Sequence, residues 1–170
     1  MSHGEPAHGE RDEPQQRHSR PGQFELGTDG PAVILVGVDD TVTSLRAAAY
    51  AAGLARRQRA RLVAVYVAST SAIVGASPAG AAVMVAEEQA HDQLAKDLRA
   101  QFEEGIRDRG ITGTFVVARG DPYHEINRIA DETRADAIVV GASKQAGHRF
   151  VGSLAVRLVR AGKWPVTVVP

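Results

Sequence analysis

The residues best suited to chemistry lie in one stretch near the C-terminus: Gly141-Ala142-Ser143-Lys144-Gln145-Ala146-Gly147-His148-Arg149-Phe150-Val151-Gly152-Ser153. It follows the strand-like run Ala137-Ile138-Val139-Val140 and leads into an apolar helical stretch. A buried strand feeding such a loop, which ends in Gly-Ser at a helix start, offers free N–H groups and a positive helix end to an anion, typically phosphate. Lys144, His148 and Arg149 give the loop the matching charge. Gly152 lets the backbone approach an anion closely, Gly147 adds a second permissive position, and Ser153 can cap the helix while donating its hydroxyl. The same glycines also suit a tight strand-to-helix connection with no ligand, and short glycine motifs are weak evidence alone. Gly147-x4-Gly152-Ser153 is not a P-loop, because the lysine that should precede the serine is absent and the segment comes late in the chain.

The second chemical position is Asp39, just past the apolar run Ala32–Val38. An acid there can bind a sugar hydroxyl, coordinate Mg²⁺, accept a phosphoryl group, or merely cap the next helix. Ligand contact is the reading for Asp39, and a turn or cap role for Asp40. His91 and His124 have no partner at a recognisable spacing and read as surface or structural residues. Asp131, Glu132 and Asp136 read as the solvated end of a helix. Cysteine is absent, which excludes disulfides and thiolate chemistry. No nucleophile elbow, His-Glu-x-x-His motif or receiver-type acceptor aspartate is found, so no catalytic residue and no metal ligand is assigned.

The elements that must position these residues alternate. Strands are expected over 32–38, 61–67, 114–118, 137–140 and 164–170, the first as a continuous β-branched run buried on both faces. The first helix is capped by Thr43 or Ser44 and runs to about Arg59, with Leu45, Ala48, Ala49, Ala52 and Ala55 on its buried face. Residues 69–81 read as a small-residue loop. A long helix over 82–109 buries Val83, Ala86, Ala90, Leu94, Leu98, Phe102 and Ile106. Gly120-Asp121-Pro122 opens a helix to about Arg134, and the last helix spans 153–161. The order βαβαβαβαβ calls for an α/β fold with a parallel sheet between helices. Ligands of such sheets sit at the carboxyl ends of the strands where the winding reverses. If strand four lies beside strand one, Asp39 and the glycine loop share one crevice.

Composition bounds the rest. The 170 residues suit one domain, and a formal net charge of zero argues against a general nucleic-acid binder. The zero hides an asymmetry: residues 1–30 hold three Arg against six Asp/Glu, and residues 31–170 hold the other 17 basic and 14 acidic residues. Residues 1–30 are rich in Gly, Pro, His and charge and read as a disordered polar tail; residues 31–170 form the domain. No apolar stretch approaches the roughly 20 residues that cross a membrane, and the first residues lack the apolar core of a secretory signal, so the cytoplasm is the expected location.

With these landmarks the chain resembles a single-domain universal stress protein over residues 31–170. The resemblance rests on Val36-Gly37-Val38-Asp39, Val65-Tyr66-Val67, Ala137-Ile138-Val139-Val140-Gly141-Ala142-Ser143, Val151-Gly152-Ser153 and Pro165-Val166-Thr167-Val168-Val169-Pro170. It implies an open five-stranded parallel sheet in the order 3-2-1-4-5, with helices on both faces, of the Rossmann-like adenine-nucleotide hydrolase-like type. It implies a cytoplasmic stress-response regulator that binds ATP, with Mg²⁺ only as the nucleotide's companion. It also implies a homodimer joined through the strand Val166–Val169, with neither nucleic acid nor membrane as partner. ATP-binding members carry Gly-x2-Gly-x9-Gly-Ser/Thr, and use the Asp after strand one and the backbone at the end of strand two. Carried onto this chain, the nucleotide positions are Asp39, Val67, Gly141, Lys144, Gly147, Gly152 and Ser153. Lys144 stands where the second glycine belongs, and the span from Gly141 to Gly152 is two residues shorter than the pattern. Lys144 disfavours the backbone shape that glycine allows, while its ammonium can serve as a phosphate ligand. The alternatives are a nucleotide-free member acting through protein contacts, or a slow ATPase.

Overall fold

Five apolar runs become five strands: β1 (Val33–Val38), β2 (Arg61–Ala68), β3 (Gly113–Arg119), β4 (Ala137–Gly141) and β5 (Val166–Val169). Four helices connect them: α1 (Val42–Gln58), α2 (Pro78–Arg109), α3 (Pro122–Thr133) and α4 (Ser153–Ala161). These come from a computed structural model, which describes Met1 and residues 30–69, 78–142 and 153–170. The side chains of residues 78, 79 and 153 are not among those described. The polar tail, Lys144, Gly147 and Gly152 lie outside the described residues.

The sheet is parallel throughout, in the order β3-β2-β1-β4-β5. Its side chains alternate between two cores, as period-two geometry requires. Ile34, Val36, Leu62 and Ala64 pack under α1 and α2 with Ala47, Ala51 and Leu98. Leu35, Val63, Ile138 and Val140 pack under α3 and α4 with Ile126, Ile129 and Leu158. β1 and β2 are buried through their centres, whereas the four residues of the edge strand β5 are all half-buried.

Three helix expectations shift. The cap of α1 is Thr41, whose side chain accepts from the Ser44 amide at 3.2 Å, not Thr43 or Ser44. Those two residues are buried in the first turn, at 3% exposure each. The face of α1 also turns. Thr43, Ser44, Ala47, Ala51 and Ala55 are buried, while Leu45 is 46% exposed. The helix lies close to the sheet, and its smallest residues make that approach. Helix α2 begins at Pro78, inside the expected loop. Its 32 residues span roughly 48 Å at 1.5 Å per residue, about twice the length of an eight-residue strand. Only its second half therefore reaches the core: Leu94, Leu98, Phe102 and Ile106 pack, but Val83, Ala86 and Ala90 are exposed. Asp121 caps α3 as expected, accepting from the His124 amide at 3.0 Å with Pro122 in the first turn. Helices α1 and α3 stop at Arg59 and Arg134, each in a left-handed cap conformation.

Candidate functional site

Three of the four described positions with a predicted ligand role, Asp39, Val67 and Gly141, gather at the carboxyl edge of the sheet. β1 lies between β2 and β4, so Asp39 emerges between Val67 and Gly141. The β1–β2 ladder stops at Val38–Tyr66, leaving Val67 one residue past it, level with Asp39. Gly141 ends β4 opposite Val169 of β5, and the Ala142 amide donates to Val169 O at 2.7 Å. Neighbouring strands are about 4.8 Å apart, so Val67 and Gly141 flank the acid within one crevice's width. β1 connects onward to β2 on one side and pairs with β4 on the other, which makes this the point where the winding reverses.

Asp39 is exposed and held by its own turn. Its amide donates to Ser44 Oγ at 2.7 Å, and the Ser44 hydroxyl donates back to Asp39 O at 3.2 Å. Its carboxylate Oδ1 accepts from the Thr41 amide at 2.8 Å, an Asx turn that fixes the side chain. Among the described residues Oδ2 has no hydrogen-bond partner, so one oxygen points the turn and the other is free for a hydroxyl donor. The turn and cap roles expected of Asp40 thus fall to Asp39 and Thr41.

Gly141 has a structural duty of its own. A Cβ there would stand 2.7 Å from both Ser44 N and Thr43 C and 2.9 Å from Thr43 O. The end of β4 is pressed against the first turn of α1, the same turn that holds Asp39. Val67 is half-buried and packs on the core beneath α3. Ser153 opens α4 as expected. The rest of the glycine loop, with Lys144, Gly147 and Gly152, lies outside the described residues.

One neighbouring pair was not legible in the sequence. The Tyr66 hydroxyl and His91 Nδ1 are 2.6 Å apart, joining β2 to α2 just behind the acids. Burial pushes the Tyr66 phenol above its ordinary value, and the negative charges of Asp40 and then Asp39 add to the rise. The only available signal was a tyrosine in a doubly buried strand, whose hydroxyl needs a partner. His91 is 25 residues away, and its role depends on where α2 docks. The raised phenol has a consequence at alkaline pH. Its folded-state value lies above the unfolded value of about 10, so its contribution to stability is intact below pH 10 and is lost as pH rises through the folded value. Tyr66→Phe is expected to flatten that loss. Urea midpoints of both chains from pH 8 to 11 check this, and parallel curves would contradict it.

The edge is therefore acidic where it meets β1 and β2. It suits the hydroxyls of a sugar there. Among the described residues no group of three or more His, Cys, Asp or Glu is placed to hold a metal ion. No described helix is long and apolar enough to cross a membrane.

Comparison with known proteins gives the same frame. The model of the universal stress protein family matches residues 32–170. Universal stress protein MJ0531 of Methanocaldococcus jannaschii is 29% identical over 141 residues, covering 80% of each chain. The structure of universal stress protein UspA from Lactobacillus plantarum is 27% identical with a TM-score of 0.67, covering 82% of this chain and 97% of that one. Two further structures share the fold at lower identity. One is a universal stress protein in complex with cAMP, at 22% identity and TM-score 0.62, covering 82% and 97% of the two chains. The other is the universal stress protein from Archaeoglobus fulgidus in complex with dAMP, at 24% and 0.55, covering 81% and 96%.

Proposed function

The chain belongs to the universal stress protein family, and on that premise we propose that it binds an adenine nucleotide, ATP, at the carboxyl edge of β2, β1 and β4, and acts as a regulator through its bound state. The observation that carries this reading is the convergence of Asp39, Val67 and Gly141 on adjacent strands at the winding reversal. The Oδ2 atom of Asp39 is available to a ribose hydroxyl, and the backbone past the β1–β2 ladder at Val67 is placed for the base. The loop after Gly141, with Lys144, Gly147, Gly152 and Ser153, takes the phosphates. Lys144 replaces the glycine of the family pattern with a charge that can serve as a phosphate ligand. Mg²⁺ arrives with the triphosphate and is held mainly by phosphate oxygens and water. The relatives complexed with cAMP and dAMP support an adenine nucleotide as the ligand class.

The protein works as a cytoplasmic homodimer in this reading. β5 is an edge strand of four half-buried residues, Val166–Val169, and an unpaired apolar edge invites another strand. Pairing with the same strand of a second copy satisfies both edges through two-fold symmetry. The functional reading is tested by denaturing freshly purified full-length protein and identifying the released small molecules by mass spectrometry, alongside calorimetric titration with ATP and Mg²⁺. Near-stoichiometric ATP or AMP, or saturable ATP binding, is the expected result. No released nucleotide and no heat of binding at millimolar ATP ends the nucleotide reading and leaves a family member that acts through protein contacts.

A further inference from the structure

The stripe of α1 that looked buried in the sequence, but is not, forms one wall of a groove. Leu45, Ala48, Ala49 and Ala52 face Leu98 and Phe102 of α2 across a cavity of about 280 Å³, floored by β1 and β2. The lining is overwhelmingly apolar. Its volume falls just below the usual range for small-molecule sites, roughly 300–1,000 Å³, and suits one or two large side chains better than a whole ligand.

We infer that the groove is occupied by the chain's own N-terminal segment, with Phe24 and Leu26 as its anchors. The first observation is where that segment joins the fold. Gly30 packs against the Gln58 side chain at the end of α1, the helix that forms one wall of the groove. Ala52 is six residues back along α1, roughly 9 Å. Leu26 and Phe24 are four and six residues before Gly30, which gives them a reach of roughly 14 and 21 Å. The second observation is composition. Apart from Met1, Phe24 and Leu26 are the only large apolar residues before Gly30, and they stand two apart. The third is charge. The first 30 residues carry a balance of −3, with Glu25 and Asp29 beside the anchors. Arg109 of α2 lines the groove, and Arg56, four residues after Ala52 and seven after Ala49, continues its α1 row. Among the described residues neither of these two arginines is ion-paired. A tether this short presents the anchors at an effective concentration on the order of millimolar, so even weak docking fills the groove. The opposite charges of tail and body, which the nucleotide site does not explain, thereby acquire a role.

The test is methyl and aromatic NMR on the full chain. Cross-peaks are expected between the Phe24 ring protons and the methyls of Ala52 and Leu98. In the Phe24→Ser, Leu26→Ser double variant these methyls are expected to shift, while those of the α3/α4 core, such as Leu158, stay in place. Two results would each overturn the inference. One is the absence of Phe24 cross-peaks to the groove with unchanged groove methyls in the double variant. The other is the appearance of those cross-peaks in an isotope-filtered spectrum of mixed labelled and unlabelled chains, which would assign the groove to the tail of a second copy.

Discussion

Gly141→Ala is expected to destabilise the fold by about 1–3 kcal/mol, the usual cost of forcing an extra carbon into a filled site. The new Cβ would meet the backbone of the first turn of α1, at 2.7 Å from Ser44 N and from Thr43 C. No side chain can swing aside there, so β4 or α1 must move. That turn carries the Thr41 cap and both hydrogen bonds between Asp39 and Ser44. A shift in it displaces the candidate sugar ligand along with the helix. The urea midpoint should fall with an unchanged slope, since the surface exposed on unfolding is the same. Gly141→Val should cost more than Gly141→Ala. A Gly141→Ala midpoint equal to the parent's would mean that the close approach of β4 to α1 is not required.

Asp39→Ala is expected to weaken adenine-nucleotide binding roughly 10- to 100-fold, the equivalent of one charge-assisted hydrogen bond of about 1.5–3 kcal/mol. The substitution also removes the acceptor for the Thr41 amide, so a smaller loss of stability should accompany it. Asp39→Asn separates two opposing effects of the acid. A carboxylate near the nucleotide accepts from the ribose but repels phosphate. Asparagine keeps an acceptor and the Asx turn while removing the charge. If ribose contact dominates, affinity falls in both variants, and more steeply in Asp39→Ala. If the acid mainly repels phosphate, Asp39→Asn binds more tightly than the parent and the assigned role is wrong. Calorimetric titration of the three chains with ATP at one ionic strength makes the comparison, because screening alters the phosphate part.

The sheet was legible in the sequence because its signals are physically unambiguous. A run such as Val33–Val38 can be buried on both faces only as a central parallel strand, and the regular alternation with helical segments leaves few ways to wind the chain. Capping was legible where the chemistry is strong, as at Asp121-Pro122, and misplaced at α1, where Thr41, Thr43 and Ser44 all offer a hydroxyl. The buried face of α1 was misread because the helix is rich in alanine. Leu45, one of its two leucines, marked the expected core side. The close contact at Gly141 instead selects the smallest residues and leaves Leu45 on the groove. Half of α2 was misread for a different reason. Its periodicity continues through Val83, Ala86 and Ala90, but periodicity does not tell how far the sheet beneath it extends.

The site divides along the same line. That Asp39 and Gly141 come together was legible because they follow strands one and four, whose neighbourhood follows from the winding; Val67 came only from the family resemblance. The link between Tyr66 and His91 was not legible, because it depends on the docking of α2 against β2. Lys144, Gly147 and Gly152 were singled out by their types and spacing alone, and lie outside the described residues.

The central claim is that the nucleotide sits between Asp39, Val67 and Gly141. It is tested most directly by titrating isotope-labelled full-length protein with ATP and Mg²⁺ and following backbone amide shifts. The account predicts saturable shifts that cluster at Asp39, Val67, Gly141 and Ser153, with little change at Ala52 or Leu98. Shifts confined to another surface, or none at millimolar ATP, would contradict it.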